Sequence, residues 1–157
     1  MALQRELKKK QPFESLEQEA VLNLLRTGDR VQLEFARLFR RHGLFPAQYN
    51  ILRILRGEGK RLPILEIAGR LLTQVPGITG LIDRLERAGL VARQRCDEDR
   101  RVIYVSITEA ASQLLAELDE PVAQLHHQLL GHLSSAELKE LNRLLEKARQ
   151  PLTTDET

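Results

Sequence analysis

Apolar residues along most of this chain recur at helical rather than strand spacing. Across residues 13–42, Leu16, Ala20 and Leu24 and then Val31, Phe35, Leu38 and Phe39 predict one long helix, or two joined at Gly28-Asp29. Gly43 supplies a stop, and Pro46 stands where a first helical turn accepts it. Tyr49, Leu52 and Leu55 then form the stripe of a second helix that ends in Gly57-Glu58-Gly59. Pro63 opens a short helix with Leu65, Ala68, Leu71 and Leu72 on its inward face, and Thr73 and Gln74 lead onward. The next helix is predicted over residues 75–88, with Ile78, Leu81, Ile82 and Leu85 inward and Gly89 as its stop.

Two short helices separated by three or four residues are a helix-turn-helix arrangement. After them the period changes. Residues 90–95 and 102–107 are short strand-like runs, and Cys96-Asp97-Glu98-Asp99-Arg100 between them is polar and turn-prone, which predicts a hairpin. Thr108 is placed to cap a long helix whose seam is Leu114, Leu118, Val122, Leu125, Leu129 and Leu133, with Pro121 inside it expected to kink or split it. Ser134 and Glu137 make a capping-box pattern for a last helix, with Leu138, Leu141, Leu145 and Ala148 inward, ending before Pro151. Residues 152–157 read as a loose tail.

Composition narrows the class. At 157 residues, 42% apolar and 29% charged, the chain suits one lobed, soluble domain with a real core. No apolar run approaches the roughly 20 residues of a bilayer span. Lys8, Lys9 and Lys10 are followed by no signal-peptide core, so a cytoplasmic location and no membrane partner are expected. Cys96 stands alone, which excludes an internal disulfide and a multi-cysteine zinc site, and its acidic neighbours Asp97, Glu98 and Asp99 oppose a reactive thiol. The net charge of +2 does not by itself mark a nucleic-acid binder, but 18 arginines against 6 lysines favour forked contacts to phosphates and base edges. His126 or His127 and His132 are spaced by five or six, which does not bring two imidazoles to one helix face, and His42 is remote in sequence; no metal is expected. No paired-carboxylate, nucleophile-elbow or phosphate-loop motif is present, so neither an enzyme nor a cofactor is expected.

Residues 45–108 carry Glu66-Ile67-Ala68, then Thr79-Gly80-Leu81-Ile82-Asp83-Arg84-Leu85-Glu86 with Gly89-Leu90-Val91, then Asp99-Arg100-Arg101 ahead of Val105-Ser106-Ile107-Thr108. In that order and spacing they resemble the MarR (multiple antibiotic resistance regulator) family, and the flanking helices match its layout. The resemblance implies a mainly α fold: a winged helix-turn-helix with a two-stranded wing and long N- and C-terminal dimerisation helices. The expected regions are 1–44 for N-terminal dimerisation, 45–108 for DNA binding, and 109–157 for the C-terminal dimerisation helices and tail. The function implied is that of a homodimeric repressor on a pseudo-palindromic operator in double-stranded DNA.

A recognition helix over residues 75–88 presents its N-terminal residues to base edges in the major groove. Gln74 and Thr79 are the hydrogen-bonding candidates, Val75 and Pro76 suit a thymine methyl, and Arg84 suits a phosphate. Gly77 and Gly80 either admit a close backbone approach or pack against the preceding helix. The resemblance further places Arg101 in the minor groove, oriented by Asp99, with Arg100 on the backbone. It also implies a small aromatic or anionic effector in a cleft lined by His42, Phe45 and Tyr49. The rival reading is a winged helix that binds another protein and lacks specific DNA affinity.

Overall fold

The computed structural model describes residues 2–152. It holds two compact units, Met1–Asp119 and Glu120–Thr157. The first begins with a short helix, α1 (Ala2–Glu6). Leu3 is buried, and the Glu6 carboxylate takes Arg30 at 3.1 Å and Arg26 at 3.7 Å. Both arginines belong to α2 (Leu16–Arg40), which runs unbroken through Gly28 and Asp29. Ser15 caps it by accepting the Gln18 amide at 3.1 Å, and glutamates in its first turn and arginines in its last suit the helix dipole.

Helix α3 (Pro46–Glu58) starts where the Phe45 amide donates to Gln48 Oε1 at 2.9 Å. It ends at Gly59, which closes it with φ 70°. Ile51, Leu52 and Leu55 bury its inner face. Strand β1 (Leu62–Pro63) follows after Gly59, Lys60 and Arg61 and was not anticipated.

Helix α4 (Ile64–Gly69) differs from the sequence expectation in both length and facing. Ile67 is fully buried, whereas Leu65 is 86% and Leu72 82% exposed. With Leu62 buried in β1, the chain enters α4 already oriented, so Ile64 and Ile67 turn inward and Leu65 is rotated away. The helix ends at Gly69, beyond which the Arg70 and Leu71 amides make only three-residue turns to Ile67 and Ala68.

Helix α5 (Ile78–Arg87) begins three residues later than expected, so residues 70–77, rather than three or four residues, connect the two helices. Gly77 lies in the left-handed region at φ 77°, ψ 38°, which no α-helical residue can adopt, and Pro76 disfavours helix at Val75.

Strands β2 (Val91–Arg95) and β3 (Ile103–Ile107) pair antiparallel from Val91↔Ile107 to Arg95↔Ile103. Strand β1 adds to the far edge of β3, giving the order β1-β3-β2, so the hairpin has a third strand at its base. Ile82 and Leu85 of α5 and Val105 of β3 are fully buried with the α3 leucines. Each such side chain contributes about 1.5–3 kcal/mol of burial.

Helix α6 (Glu109–Leu130) starts with Thr108 Oγ1 accepting the Ala111 amide and donating to the Gly89 carbonyl at 2.7 Å. It continues through Pro121 without the expected split, although the proline nitrogen has no hydrogen to donate to the helix. Of the forecast seam, Leu118 and Val122 are buried, Leu114, Leu125 and Leu129 are half-buried, and Ala111 and Leu115 complete the buried stripe.

In the second unit α7 (Ser135–Arg149) opens with the expected capping box: the Ser134 amide donates to Glu137 Oε2 at 2.8 Å and Ser134 Oγ accepts the Glu137 amide at 3.3 Å. No residue of α7 is buried. The tail after Leu152 lies outside the described residues. Among those described, no helix is long and apolar enough to cross a membrane.

Candidate nucleic-acid interface

Helix α5 is amphipathic in a way that leaves one face for a partner. Ile82 and Leu85 anchor it to the core, while Thr79, Gly80, Arg84 and Arg87 are exposed. Arg84 and Arg87 have no side-chain partner among the described residues. Val75, Pro76 and Gly77 are not on the helix, as the sequence suggested, but join Gln74 in the turn that leads into it; all but half-buried Val75 are exposed. A Cβ built on Gly77 or Gly80 meets nothing within 4 Å, so neither glycine packs against the preceding helix. Gly77 is needed for its positive φ; Gly80 leaves open space beside the exposed face.

The hairpin tip brings Asp99 and Arg101 together. The Asp99 carboxylate accepts the Arg101 amide at 3.0 Å, Nε at 3.1 Å and Nη2 at 3.2 Å. Those hydrogen bonds hold the carboxyl below the usual aspartate range. The Arg101 side chain is nonetheless 91% exposed, a guanidinium aimed by its neighbour and otherwise in solvent. Arg100 is exposed and, among the described residues, makes no ion pair.

Helix and hairpin are joined by Arg93, which sequence reasoning missed. From β2 its Nη1 reaches Asp83 Oδ1 at 2.5 Å and its Nη2 reaches Glu86 Oε1 at 3.0 Å, while its amide donates to Glu86 Oε2 at 3.0 Å. Glu86 is held below the ordinary glutamate range chiefly by the hydrogen bond from the Arg93 guanidinium, with a smaller contribution from the amide. The available signal was an acid and a base on either side of the Gly89 turn, where a helix folds back onto a strand.

The residues of the expected cleft are partly brought together. Phe35 stacks on Phe39 with centroids 5.8 Å apart, and Phe39 on Tyr49 at 4.2 Å. Burial pushes the Tyr49 hydroxyl above its ordinary range, outweighing the nearby Arg53 and Arg56 cations, which pull it down, while the Asp119 carboxylate adds slightly to the rise. His42 Nδ1 lies 3.3 Å from the Leu38 carbonyl, and Phe45 is 58% exposed at the start of α3. Beside Tyr49, Arg56 forks onto Asp119 at 3.0 and 2.7 Å, joining α3 to α6.

The MarR family profile matches residues 44–103, from the turn before α3 to the start of β3. The chain is 30% identical over 135 residues to the HTH-type transcriptional repressor MdtR of Bacillus subtilis (strain 168), covering 86% of each protein. It is 48% identical to a MarR transcription factor from Planctomyces limnophilus, whose crystal structure it matches with a TM-score of 0.68 over 86% of this chain and 98% of that one. Bordetella bronchiseptica BpsR, whose DNA binding is regulated by 6-hydroxynicotinic acid, is 26% identical with a TM-score of 0.76, covering 89% of this chain and 99% of its own. Its winged helix and these relatives agree: the chain belongs to the MarR family of DNA-binding transcriptional regulators.

Proposed function

We propose that this chain is a repressor that binds a pseudo-palindromic operator as a homodimer, with α5 of each copy in a major groove and each wing tip in the adjacent minor groove. The observation that carries the reading is Arg101, almost wholly exposed yet aimed by the hydrogen bonds that its Nε and Nη2 donate to the Asp99 carboxylate, which also accepts its backbone amide. A narrow minor groove attracts such a guanidinium, and its aspartate reduces the freedom lost on binding. Base contacts come from Gln74 and Thr79, apolar contact from Val75 and Pro76, close approach at Gly77, and phosphate contact from Arg84 and Arg100.

Dimerisation is supported by apolar side chains that α2 leaves in solvent: Leu16 at 81%, Leu25 at 64% and Val21 at 53% exposure. A two-fold dimer presents two recognition helices to half-sites about one helical turn apart. For the effector, a small aromatic or anionic molecule meets half-buried Tyr49 beside the Arg53 cation, with His42 and Phe45 at the rim, because Phe39 is buried and Arg56 is already paired with Asp119. The named regulator of BpsR, 6-hydroxynicotinic acid, is of that class.

The test is Arg101→Ala, assayed by fluorescence anisotropy on a duplex selected by the wild-type protein. A loss of about tenfold or more per wing is expected, with the fold intact because the side chain buries nothing. Unchanged affinity refutes the wing assignment.

A further inference from the structure

Arg61, the residue before β1, has no part in the interface described so far, yet its side chain spans the whole sheet. The guanidinium lies over the Tyr104 ring of β3, 4.6 Å from its centroid, and Nη1 donates to Gln94 Oε1 of β2 at 2.6 Å. Gln94 and Tyr104 are directly opposed in the register, so one arginine ties β1, β3 and β2 across a single face. Neighbouring strand residues alternate between faces, which puts Arg93, clamped to α5, on the opposite face from Gln94. The hairpin is therefore held from both sides. On its β1 edge the backbone ladder is thin: only Leu62↔Val105 and Pro63↔Tyr104 are paired, and Pro63 has no N–H to donate.

We propose that Arg61 is a positioning residue for DNA recognition, a strap that sets the angle of the wing and thereby the place of Arg101. This rests on the wing reading above. Arg101 lies three residues before Tyr104, toward the hairpin tip and at most roughly 10 Å away, so a tilt of about 10° moves the tip by up to about 1.7 Å. That is large against the length of a hydrogen bond. Arginine suits the task because its planar fork stacks on a ring and donates in its own plane at once, which lysine cannot do.

The experiment measures anisotropy of the full-length protein on a duplex selected from a random-sequence library, for wild type, Arg61→Ala, Arg101→Ala and the double variant, across a salt series. Arg61→Ala is expected to weaken binding about tenfold with the salt slope unchanged, because no phosphate contact is lost. In the Arg101→Ala background the same change is expected to cost less than about twofold, since the strap acts through Arg101. Tyr104→Ala should reproduce the loss and Tyr104→Phe should not. Should Arg61→Ala misfold, Gln94→Ala removes only the hydrogen bond and is expected to give a smaller loss with the same non-additivity. Additive losses with a shallower salt slope would make Arg61 a phosphate contact and overturn the strap. Full affinity in Arg61→Ala would also overturn it. Full affinity in Arg101→Ala sinks the wing reading, and the strap with it.

Discussion

Replacing Gly80 by alanine should move stability and DNA affinity in opposite directions. Gly80 is the third residue of α5, exposed, with nothing within 4 Å of an added Cβ. In the free protein the methyl group therefore meets no obstacle, and alanine restricts the unfolded chain and favours the helix. The gain is about 0.5–1 kcal/mol, toward the lower end because the position lies in the first turn. For a chain of this size that raises the melting temperature by about 1–4 °C. On the operator the same methyl stands on the face assigned to the major groove, and where backbone and base edges approach closely it should cost about tenfold in affinity. Gly77→Ala supplies the contrast. Space is equally open there, but φ is 77°, so alanine should lower stability by about 1–2 kcal/mol through backbone strain alone. Differential scanning calorimetry and anisotropy on one preparation read both quantities. A Gly80→Ala protein that melts lower would refute the helix argument. One that melts higher but binds unchanged would show that DNA does not approach α5 at Gly80.

Leu25, 64% exposed on α2, should be part of the dimer surface, so Leu25→Glu is expected to lower the sedimentation mass toward the 18.0 kDa monomer; an unchanged mass would place the interface elsewhere. Leu85 is fully buried in α5, and Leu85→Ala should cost about 2–5 kcal/mol in denaturant unfolding, with a loss below about 1 kcal/mol arguing against the core described. The Asp99 carboxyl is depressed chiefly by its hydrogen bond from the Arg101 side chain. A depressed carboxylate contributes above its unfolded value and loses that contribution as pH falls through its folded value. The wing contact should thus be complete at neutral pH, and by NMR the Asp99 titration should return to the ordinary aspartate range in Arg101→Ala. No movement there would mean that another group holds the carboxyl down.

Long, periodic segments were legible in the sequence: α2, α3, α6 and α7 and the hairpin lie close to where spacing and caps put them. Misreadings cluster around residues 62–77, where local pattern competes with tertiary pairing. Two residues of strand at Leu62 and Pro63 carry no alternation to detect, yet they set the rotation of α4 and leave Leu65 in solvent. The late start of α5 follows from the left-handed Gly77, a backbone state that a glycine permits but does not announce. At the site, Asp99 and Arg101 were readable because they are neighbours in the chain. Arg61 and Arg93 were not, because their partners Tyr104, Gln94, Asp83 and Glu86 meet them only once the sheet has formed.

The most direct test of the central claim is the salt dependence of binding to a selected duplex, measured beside a scrambled duplex of equal length. The account predicts tight binding to the selected sequence, weaker binding to the scrambled one, and a logarithmic affinity that falls with log salt by about 0.9 for each phosphate neutralised. Affinity that ignores both salt and sequence would contradict it.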